Sequence, residues 1–569
     1  MKVLRKAIAS LVVVSFIFSV TACNNPQKGP DPSKAPVSSE GPSEITYGGL
    51  TPMKDADKPI TFNVFLRDPG QAPAKDNPVI KKITELTGVT LNFEFLVGDL
   101  NQKVGVMIAG EDYPDVIFGE NAKFFDAGAL LPLEDLIPKY PNLKKHYEKH
   151  MDKMIAGFDG KHAYTLENYT LVHYPAPIFF NTGAGFYIQK AVLEDSGYKI
   201  PKTIDEYFEL IENYKKKYPT IDGAKTIGFE ILCDGWRDFC LRNPAQHLMG
   251  TGNEGDVYVD PKTYVASLYQ ISDTAKNYYK KLNEEYHKGI IEGETFTENY
   301  DQYLARLSSG AVLGMFDQWW NYNTAENALK SAGKDNRTYV SVPLTNPGVQ
   351  DGYLDATSES ITGTGGLSIT KNCKDPERLL AFYDWLLQRE VQDYLQWGEE
   401  GKDWNKVGEN GKVLTSERRE MLKDTAKKRD LTGDTLWQYT PKMQGLYEDG
   451  SPCGPGDSAD EYMAGLTAYD QKFLKDLNIQ YPAQLLSPPV KRPKYYPTWS
   501  FPIEDGSPAK TAKTKLEDVC RRYYPQLIMT PSNQFDAMWD KFLADIKAGN
   551  IQPFVDEMNR QIKIRQGLE

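Results

Sequence analysis

Several tryptophans stand beside charged or amide side chains in turn-rich segments of the sequence. They are Trp236 next to Arg237, Trp319 and Trp320 before Asn321, and Trp404 four residues after Glu400. An indole ring beside fixed donors and acceptors suits a ligand with an apolar face and a rim of hydroxyls, as a sugar ring has. The alternative for each tryptophan is packing in a core or between domains. We take these residues as candidate ligand contacts.

Residues that could carry catalysis or hold a metal form weaker patterns. His146 and His150 have the i,i+4 spacing that can bind zinc, but lysines surround them and a solvated helix face is the expected interpretation. We find no phosphate loop, nucleophile elbow or H-E-x-x-H motif. Carboxylates are abundant, and a glycosidase pair is defined in space rather than in sequence. We therefore expect no catalytic residue, metal or cofactor, and we keep a polysaccharide hydrolase or lyase as the alternative.

Residues 1–22 have the composition of a secretory signal peptide. A basic segment, Lys2 to Lys6, precedes an apolar run, Ala7 to Val20, that is shorter than the about 20 apolar residues a spanning helix needs. Val20-Thr21-Ala22-Cys23 resembles the lipobox of bacterial lipoproteins, which implies cleavage before Cys23 and a diacylglycerol on its sulfur. The alternative is an ordinary secreted protein whose first cysteine is structural.

The size and charge of the chain limit the classes of protein it can belong to. At 569 residues the chain is too long for one compact core, so two or more domains are expected. A net charge of −12 argues against nucleic-acid binding. Residues 23–58 are rich in Pro, Gly, Ser, Lys and Asp and predict a disordered tether. Five cysteines remain after Cys23, and a bridge between Cys233 and Cys240 around Trp236 stays open.

Hydrophobic periodicity predicts a β-α-β-α-β unit after the tether. Its parts are a strand over 60–66, a helix from Asn77-Pro78 to Gly88, a strand over 89–97, a helix over 100–109 and, over 113–119, a turn that leads into a third strand. Such a unit builds a parallel sheet, whose ligands lie beyond the carboxyl ends of the strands. Arg67 follows the first strand and is therefore a candidate ligand contact.

Five segments of the chain resemble, in order, segments of the extracellular solute-binding proteins of ABC sugar importers. They are MIAGEDYPDVI (107–117), LLPLEDL (130–136), the FFNT (179–182), KAVLEDSGY (190–198) and PKTIDE (201–206) group, GAVLGMF (310–316) followed by Trp319-Trp320, and GGLSI (365–369) before Asp375-Pro376-Glu377. The long, tyrosine-rich form is most similar to the LplA-type lipoproteins.

The resemblance implies an α/β, two-lobed periplasmic-binding-protein-like fold (type II), in which each lobe is a mixed sheet flanked by helices and hinge segments join the lobes. We place the first lobe at 59–175 with 363–430 and the second at 176–362 with 431–569. In the family the segment that matches Trp319-Trp320 lines the cleft, and the position of Asn181 adds it to the candidates. Some relatives that bind acidic polysaccharides carry a calcium loop, but 218–225 departs from its spacing of oxygens.

The resemblance also implies a function. We expect a monomer, lipid-anchored through Cys23 on the extracellular face of the membrane of a Gram-positive bacterium, that captures an oligosaccharide between its lobes. A closed, liganded form would then deliver the sugar to the membrane permease of an ABC importer.

Overall fold

The structure is a computed structural model that describes residues 49–168, 174–356 and 361–567. The signal peptide and Cys23 lie outside the described residues. The strands are β1 (Ile60–Leu66), β2 (Val89–Phe95), β3 (Val116–Phe118), β4 (Gly185–Gln189), β5 (Thr220–Ile221), β6 (Ala224–Lys225), β7 (Ile227–Glu230), β8 (Tyr258–Val259), β9 (Ala266–Ser267), β10 (Val312–Asp317), β11 (Tyr339–Val342), β12 (Leu367–Ile369), β13 (Trp404–Val407) and β14 (Gly411–Leu414).

Helices account for most of the remaining regular structure. They are α1 (Pro78–Thr87), α2 (Leu100–Gly110), α3 (Asn121–Asp126), α4 (Pro141–Tyr147), α5 (Met151–Ile155), α6 (Lys190–Asp195), α7 (Ile204–Lys217), α8 (Phe239–Arg242), α9 (Pro244–Leu248), α10 (Asp273–His287), α11 (Tyr300–Ser309), α12 (Trp319–Ser331), α13 (Pro376–Leu386), α14 (Arg389–Gln396), α15 (Ser416–Lys423), α16 (Thr425–Leu431), α17 (Asp434–Gln438), α18 (Ala459–Gly465), α19 (Ala468–Asp476), α20 (Pro508–Met529), α21 (Phe535–Ala548) and α22 (Gln552–Gln566). Among the described residues no helix combines the length and apolarity needed to cross a membrane.

The first lobe is built on a four-stranded sheet in the order β12-β3-β1-β2. β1 pairs in parallel with both β2 and β3, which confirms the predicted β-α-β-α-β unit, and β12 returns antiparallel to β3. The residues predicted to begin and end α1 do so in the structure. The Asn77 side chain accepts hydrogen bonds from the N–H groups of Val79 and Ile80, and Gly88 ends the helix at φ 69°. All three parallel strands therefore end at one edge of the sheet.

The second lobe is built on a sheet in the order β11-β4-β10-β7. β10 is parallel to β7, whereas β4 is antiparallel to both β10 and β11. The carboxyl ends of β7, β10 and β11 and the first residue of β4 therefore share one edge. The helices α20, α21 and α22 complete the core of this lobe, and the predicted helices on both sides of Gly549 are confirmed.

Two predicted boundaries differ from the structure. Leu50 is buried in the core of the first lobe and the indole of Trp385 donates to the carbonyl of Thr51, so the folded part begins before residue 59. This mostly polar stretch thus contains an apolar residue, Leu50, that covers part of the core of the first lobe. Leu436 and Tyr439 also pack in the core of the first lobe, so this lobe extends past residue 430.

Two connections between the lobes are tied together by one carboxylate. Oε1 of Glu167 accepts hydrogen bonds from Thr362 Oγ1 at 2.5 Å and from the N–H of Gly363 at 2.8 Å. Glu167 directly follows Leu166, which packs in the core of the first lobe, and residues 362–363 lie shortly before β12. The glutamate thus ties together two segments next to the predicted hinges.

Candidate ligand-binding site

The carboxyl-end edge of the second sheet gathers most of the predicted ligand residues. α12 begins at Trp319, two residues after β10 ends, and the 3-10 turn that carries Trp236 follows β7. Gly235 takes φ 56° at the start of this turn, a backbone conformation that glycine adopts without strain. Adjacent strands thus bring together two tryptophans that are 84 residues apart in the sequence.

Trp236 and Trp320 form a stacked and exposed pair. Their ring centroids lie 5.6 Å apart with an interplanar angle of 18°. Trp236 is 50% exposed and Trp320 is 41% exposed, which is unusual for the largest apolar side chain. The indole N–H of Trp320 donates to Oε1 of Gln318 at 2.8 Å, which fixes the ring. We call Trp236 and Trp320 the aromatic platform.

Arg237 packs against the aromatic platform. Its guanidinium lies over the ring of Trp236 at 4.6 Å and over the ring of Tyr300 at 4.1 Å, so it is sandwiched between two aromatic faces. Its Nε donates to Oδ1 of Asn321 at 3.0 Å. The hydroxyl of Tyr300 donates to the carbonyl of Asn321 at 2.6 Å. The orientation of Trp236 is therefore coupled to the first turn of α12.

Asp317 anchors this network in the interior. Its carboxylate accepts from Tyr303 at 2.5 Å, from Nδ2 of Asn321 at 2.9 Å and from Sγ of Cys240 at 3.3 Å. Burial raises the pKa of Asp317 to about 6, and the hydrogen bonds that it accepts oppose this rise. At neutral pH Asp317 is ionised, and its donors align α8 and α12 at the edge of the sheet.

The other end of the Trp236 turn is held by a buried ion cluster. Nε and Nη2 of Arg242 donate to the two oxygens of Asp238 at 2.9 and 3.0 Å, a bidentate pair. Nη1 of Arg242 binds Asp256, and Nε of Arg521 on α20 also donates to Asp238 at 2.5 Å. The turn is thus fixed to the long C-terminal helix as well as to the sheet.

Trp319 and Asn181 lie on the same edge but face a different space from the platform. The ring of Trp319 contacts Phe180 edge-on at 5.4 Å, and its indole N–H donates to Glu326 at 3.2 Å. Asn181 is buried and donates to Oγ of Ser341 at 3.2 Å while it accepts from the N–H of Gly183 at 3.0 Å. Both line a groove of about 370 Å³ beside the edge strand β11.

Arg67 lies at the carboxyl-end edge of the first sheet, as predicted. Its guanidinium is 3.8 Å from the carboxylate of Asp68 and 3.7 Å from that of Glu120, and its side chain is 41% exposed. Gly119, at φ 87°, leaves room for it, since a Cβ there would lie 2.2 Å from Cδ of Arg67. The role of Arg67 as a ligand contact stays a prediction.

Trp404 and Glu400 occupy the β13–β14 hairpin of the first lobe. Trp404 is 9% exposed and packs at 6.1 Å from the ring of Trp397, with Nζ of Lys412 5.1 Å from its ring centroid. Glu400 forms an isolated bridge with Trp404. The structure thus brings Trp236, Trp319, Trp320 and Asn181 to one edge, and it places this pair in a separate hairpin. The role of Trp404 and Glu400 as ligand contacts stays a prediction.

A cavity of about 1100 Å³ separates the two lobes. Residues from α3, α5 and the loop to Gly160 form its first wall, and α3 starts directly after β3 at the ligand edge of the first sheet. Its second wall comes from residues 502–509 and from α22 in the second lobe. Its volume slightly exceeds the range of about 300–1,000 Å³ that is typical of small-molecule sites, so it can hold a ligand larger than most small molecules.

Sequence reasoning missed Trp499, which is 53% exposed. It belongs to a 3-10 turn, Thr498–Ser500, that runs into the second wall of the cavity. The carboxylate of Glu254 accepts from the N–H of Thr498 at 2.9 Å, and Thr364 in the hinge donates to the carbonyl of Ser500 at 3.1 Å. The run Tyr-Tyr-Pro-Thr-Trp-Ser-Phe-Pro (495–502) was the available signal, because it combines aromatics with turn residues.

Three further expectations concern cysteine and metal chemistry. Cys233 and Cys240 are both free thiols, so the open bridge is not formed. His146 and His150 are buried, not part of a solvated face, because α4 ends at Tyr147 and the chain turns them inward. The described residues contain no group of three His, Cys, Asp or Glu side chains that could hold a metal ion. In place of a calcium loop, β5 and β6 form a short hairpin whose Asp222 pairs with Lys334 at 2.9 Å.

Comparison with known proteins gives one family match. The family model described as "Bacterial extracellular solute-binding protein" matches residues 79–398, which is more than half of the chain. The matched part begins after β1, and it contains the whole of the second sheet and the aromatic platform.

Individual relatives are more distant. The chain is 26% identical over 42% of its length to the fructooligosaccharide ABC transporter substrate-binding protein FusA of Streptococcus pneumoniae, of which the alignment covers 46%. It is 23% identical over 59% of its length to the polygalacturonan/rhamnogalacturonan-binding protein YtcQ of Bacillus subtilis, of which 65% is covered. Both alignments span less than two thirds of the relative.

A solved structure shows the same fold. The S. pneumoniae FusA EF-hand mutant in complex with fructo-nystose superposes with a TM-score of 0.64 at 18% identity, covering 90% of this chain and 100% of that one. The fold is thus the two-lobed α/β fold predicted from the sequence.

Proposed function

The chain belongs to the family of bacterial extracellular solute-binding proteins, and from this premise we propose that it captures an oligosaccharide between its lobes for an ABC importer. The observation that carries the proposal is the aromatic platform, two stacked indoles left half exposed at the ligand edge of the second sheet. Stacked aromatic faces bind the C–H faces of sugar rings, and the surrounding amide and carboxylate groups bind the hydroxyls.

The architecture supports capture rather than catalysis. A ligand that contacts both walls of the interlobe cavity stabilises the closed arrangement of the lobes, which a membrane permease can then recognise. Arg67 at the carboxyl-end edge of the first sheet and the platform at that of the second sheet would supply contacts from each lobe. No bond in the sugar needs to be broken for this cycle, so we propose a binding protein and not a hydrolase or lyase.

The membrane anchor is the second part of the proposal. The lipobox-like sequence before Cys23 and the tether behind it support an acylated N-terminus on the extracellular face of the membrane. Acyl chains that hold the receptor near its permease raise its effective concentration there. Substitution of Cys23 by Ala separates this role from ligand binding.

A thermal-shift screen against a panel of oligosaccharides tests the proposal, because a ligand that binds only the folded state raises the melting temperature. At least one oligosaccharide should raise it, and titration calorimetry should then show a loss of affinity in Trp236→Ala and in Trp320→Ala. Trp437→Ala is the matched control, because this tryptophan packs against the core of the first lobe. If no sugar raises the melting temperature, the proposal fails, and release of new sugar ends from any glycan would support an enzyme instead.

A further inference from the structure

The charge of the interlobe cavity sets the class of sugar that it accepts. We infer that the cavity selects uncharged oligosaccharides and rejects chains of uronic acids. This step rests on the proposed function, in which the oligosaccharide enters the cavity between the lobes. It goes beyond that proposal because relatives at similar identity are named for both a fructooligosaccharide and a polygalacturonan.

Carboxylates occupy both walls of the cavity. The first lobe contributes three and the second lobe contributes three, namely Asp126, Asp152, Asp159, Glu504, Asp556 and Glu557. Most of these side chains belong to exposed residues, so their charges face the solvent-filled space between the lobes. A polyanion that enters the cavity would therefore meet negative charge on either side.

Two arginines line the same cavity, but they do not balance these charges. Arg560 forms a bidentate pair with Glu557, at 2.8 Å from Nε and 2.6 Å from Nη2, so these two charges offset each other within the second wall. Arg565 lies over the ring of Phe501 at 4.6 Å and donates to the carbonyl of Thr362 at 3.4 Å. One guanidinium can bind one carboxylate, whereas a uronate chain brings one carboxylate with every sugar ring.

The carboxylates of the two lobes already act on one another. The pKa of Asp126 is raised, first by burial and then by repulsion from Asp505 and Glu504, which belong to the opposite lobe. Further negative charge in the cavity would add to this repulsion. Sugar hydroxyl groups would instead be attracted to the walls, because an ionised carboxylate only accepts hydrogen bonds and a hydroxyl can donate one. The walls therefore suit a ligand rich in hydroxyls and free of carboxylates.

The test measures affinity for three sets of oligosaccharides of matched length with the full chain by titration calorimetry. The sets are uncharged fructo-, gluco-, manno- and xylo-oligosaccharides, oligogalacturonates with alginate oligomers, and oligomers of glucosamine. Each is measured at about 0.01 M and about 0.15 M ionic strength, where the Debye length falls from about 30 Å to about 8 Å. We expect at least one uncharged oligomer to bind. At low ionic strength each uronate oligomer should bind at least about tenfold more weakly, a gap of about 1.4 kcal/mol that narrows with salt.

A double variant isolates the cavity charge. Glu504→Gln with Asp556→Asn removes one carboxylate from each of two segments of the second wall and keeps the acceptor oxygens. The ratio of uronate to uncharged affinity should rise by about threefold or more relative to the native chain. Glu209→Gln with Glu420→Gln makes the same change in net charge on exposed helix positions outside the cavity and should leave the ratio unchanged. Melting curves verify that all variants fold.

Each outcome decides the question. A uronate oligomer that binds as tightly as the best uncharged one overturns the inference, and so does an equal change of the ratio in both double variants. Glucosamine oligomers that bind more than about tenfold more tightly than every uncharged oligomer would also overturn it, in favour of a cationic ligand. If no oligosaccharide of any set binds, the proposed function itself fails and the inference falls with it.

Discussion

Replacement of Arg237 by Ala tests whether the aromatic platform is held in place before a ligand arrives. The substitution removes a guanidinium that lies 4.6 Å from the ring of Trp236 and 4.1 Å from the ring of Tyr300, and it removes the hydrogen bond to Asn321. The ring of Trp236 also stacks on Trp320 and stays half exposed, so a ligand on the exposed part of the pair need not touch Arg237. The effect on binding should therefore arise through the position of Trp236.

The magnitude follows from the freedom that Trp236 regains. Ordering one side chain on binding costs about 0.5–1.5 kcal/mol, which corresponds to a rise in Kd of about two- to tenfold. The free energy of unfolding should fall by about 1–2 kcal/mol, because each cation–π contact at a partly exposed site contributes about 0.5–1 kcal/mol. Arg237→Lys keeps a charge between the rings but lacks the planar fork, so its affinity should lie between those of the native chain and the alanine variant.

The assay is titration calorimetry with the oligosaccharide found in the screen. Arg522→Ala is the matched control, since Arg522 also lies over a tyrosine ring, at 5.0 Å, and pairs with Asp545 on the outer helices of the same lobe. It should lower stability slightly and leave Kd unchanged. Near-ultraviolet circular dichroism reports the stacking of Trp236 on Trp320 independently of the ligand. If Arg237→Ala folds, alters this signal and yet binds with native affinity, the reasoning about a pre-positioned platform is wrong.

Three other predictions follow from buried charges and from the N-terminus. Burial raises the pKa of Glu254 to about 7. The native chain should therefore lose up to about 3 kcal/mol of stability as pH rises from about 4.5 to 7, because the folded state releases this proton later than the unfolded state. Urea unfolding at several pH values measures this loss, which Glu254→Gln should not show. Nζ of Lys190 lies 2.6 Å from the buried carboxylate of Asp470, so Lys190→Met leaves this carboxylate without its cation. The free energy of unfolding should fall by about 3–5 kcal/mol. The double variant Lys190→Met with Asp470→Leu should restore most of this stability. Cys23→Ala should move a protein with native ligand affinity from the membrane fraction to the medium, which cell fractionation measures.

The first lobe was largely predictable from the sequence, because local signals set its elements. Asn77 and Gly88 mark the two ends of one helix, and the alternation of strands and helices predicts the parallel pairing of β1, β2 and β3. The boundaries failed where burial was decided at long range. Leu50 and Leu436 are unremarkable in sequence, and only the completed core of the first lobe shows that both are needed to cover it.

The site was predictable in part, for the same reason. The sequence made Trp236 and Trp320 candidates, because both stand beside polar residues in turns. It does not show that β7 and β10 are neighbours, so the stacking of the two rings could not be foreseen. Trp499 shares this limitation. The turn that carries it is held by Glu254, whose carboxylate accepts from the N–H of Thr498, 244 residues further along the chain.

Two adjacent tryptophans at the start of α12 make different contacts, which the sequence alone does not distinguish. Successive residues of a helix point about 100° apart, so Trp319 and Trp320 cannot face the same ligand surface. Trp320 stacks on Trp236 in the exposed platform, whereas Trp319 contacts Phe180 and Glu326 in the groove beside β11. The carbonyl of Thr182, in a segment that enters the second lobe, accepts from the backbone N–H of Trp319. One side of the helix start thus presents the platform, and the other is fixed to the segment that contains Thr182. In the function that we propose, closure of the lobes and binding of a sugar would therefore act on the same turn of helix.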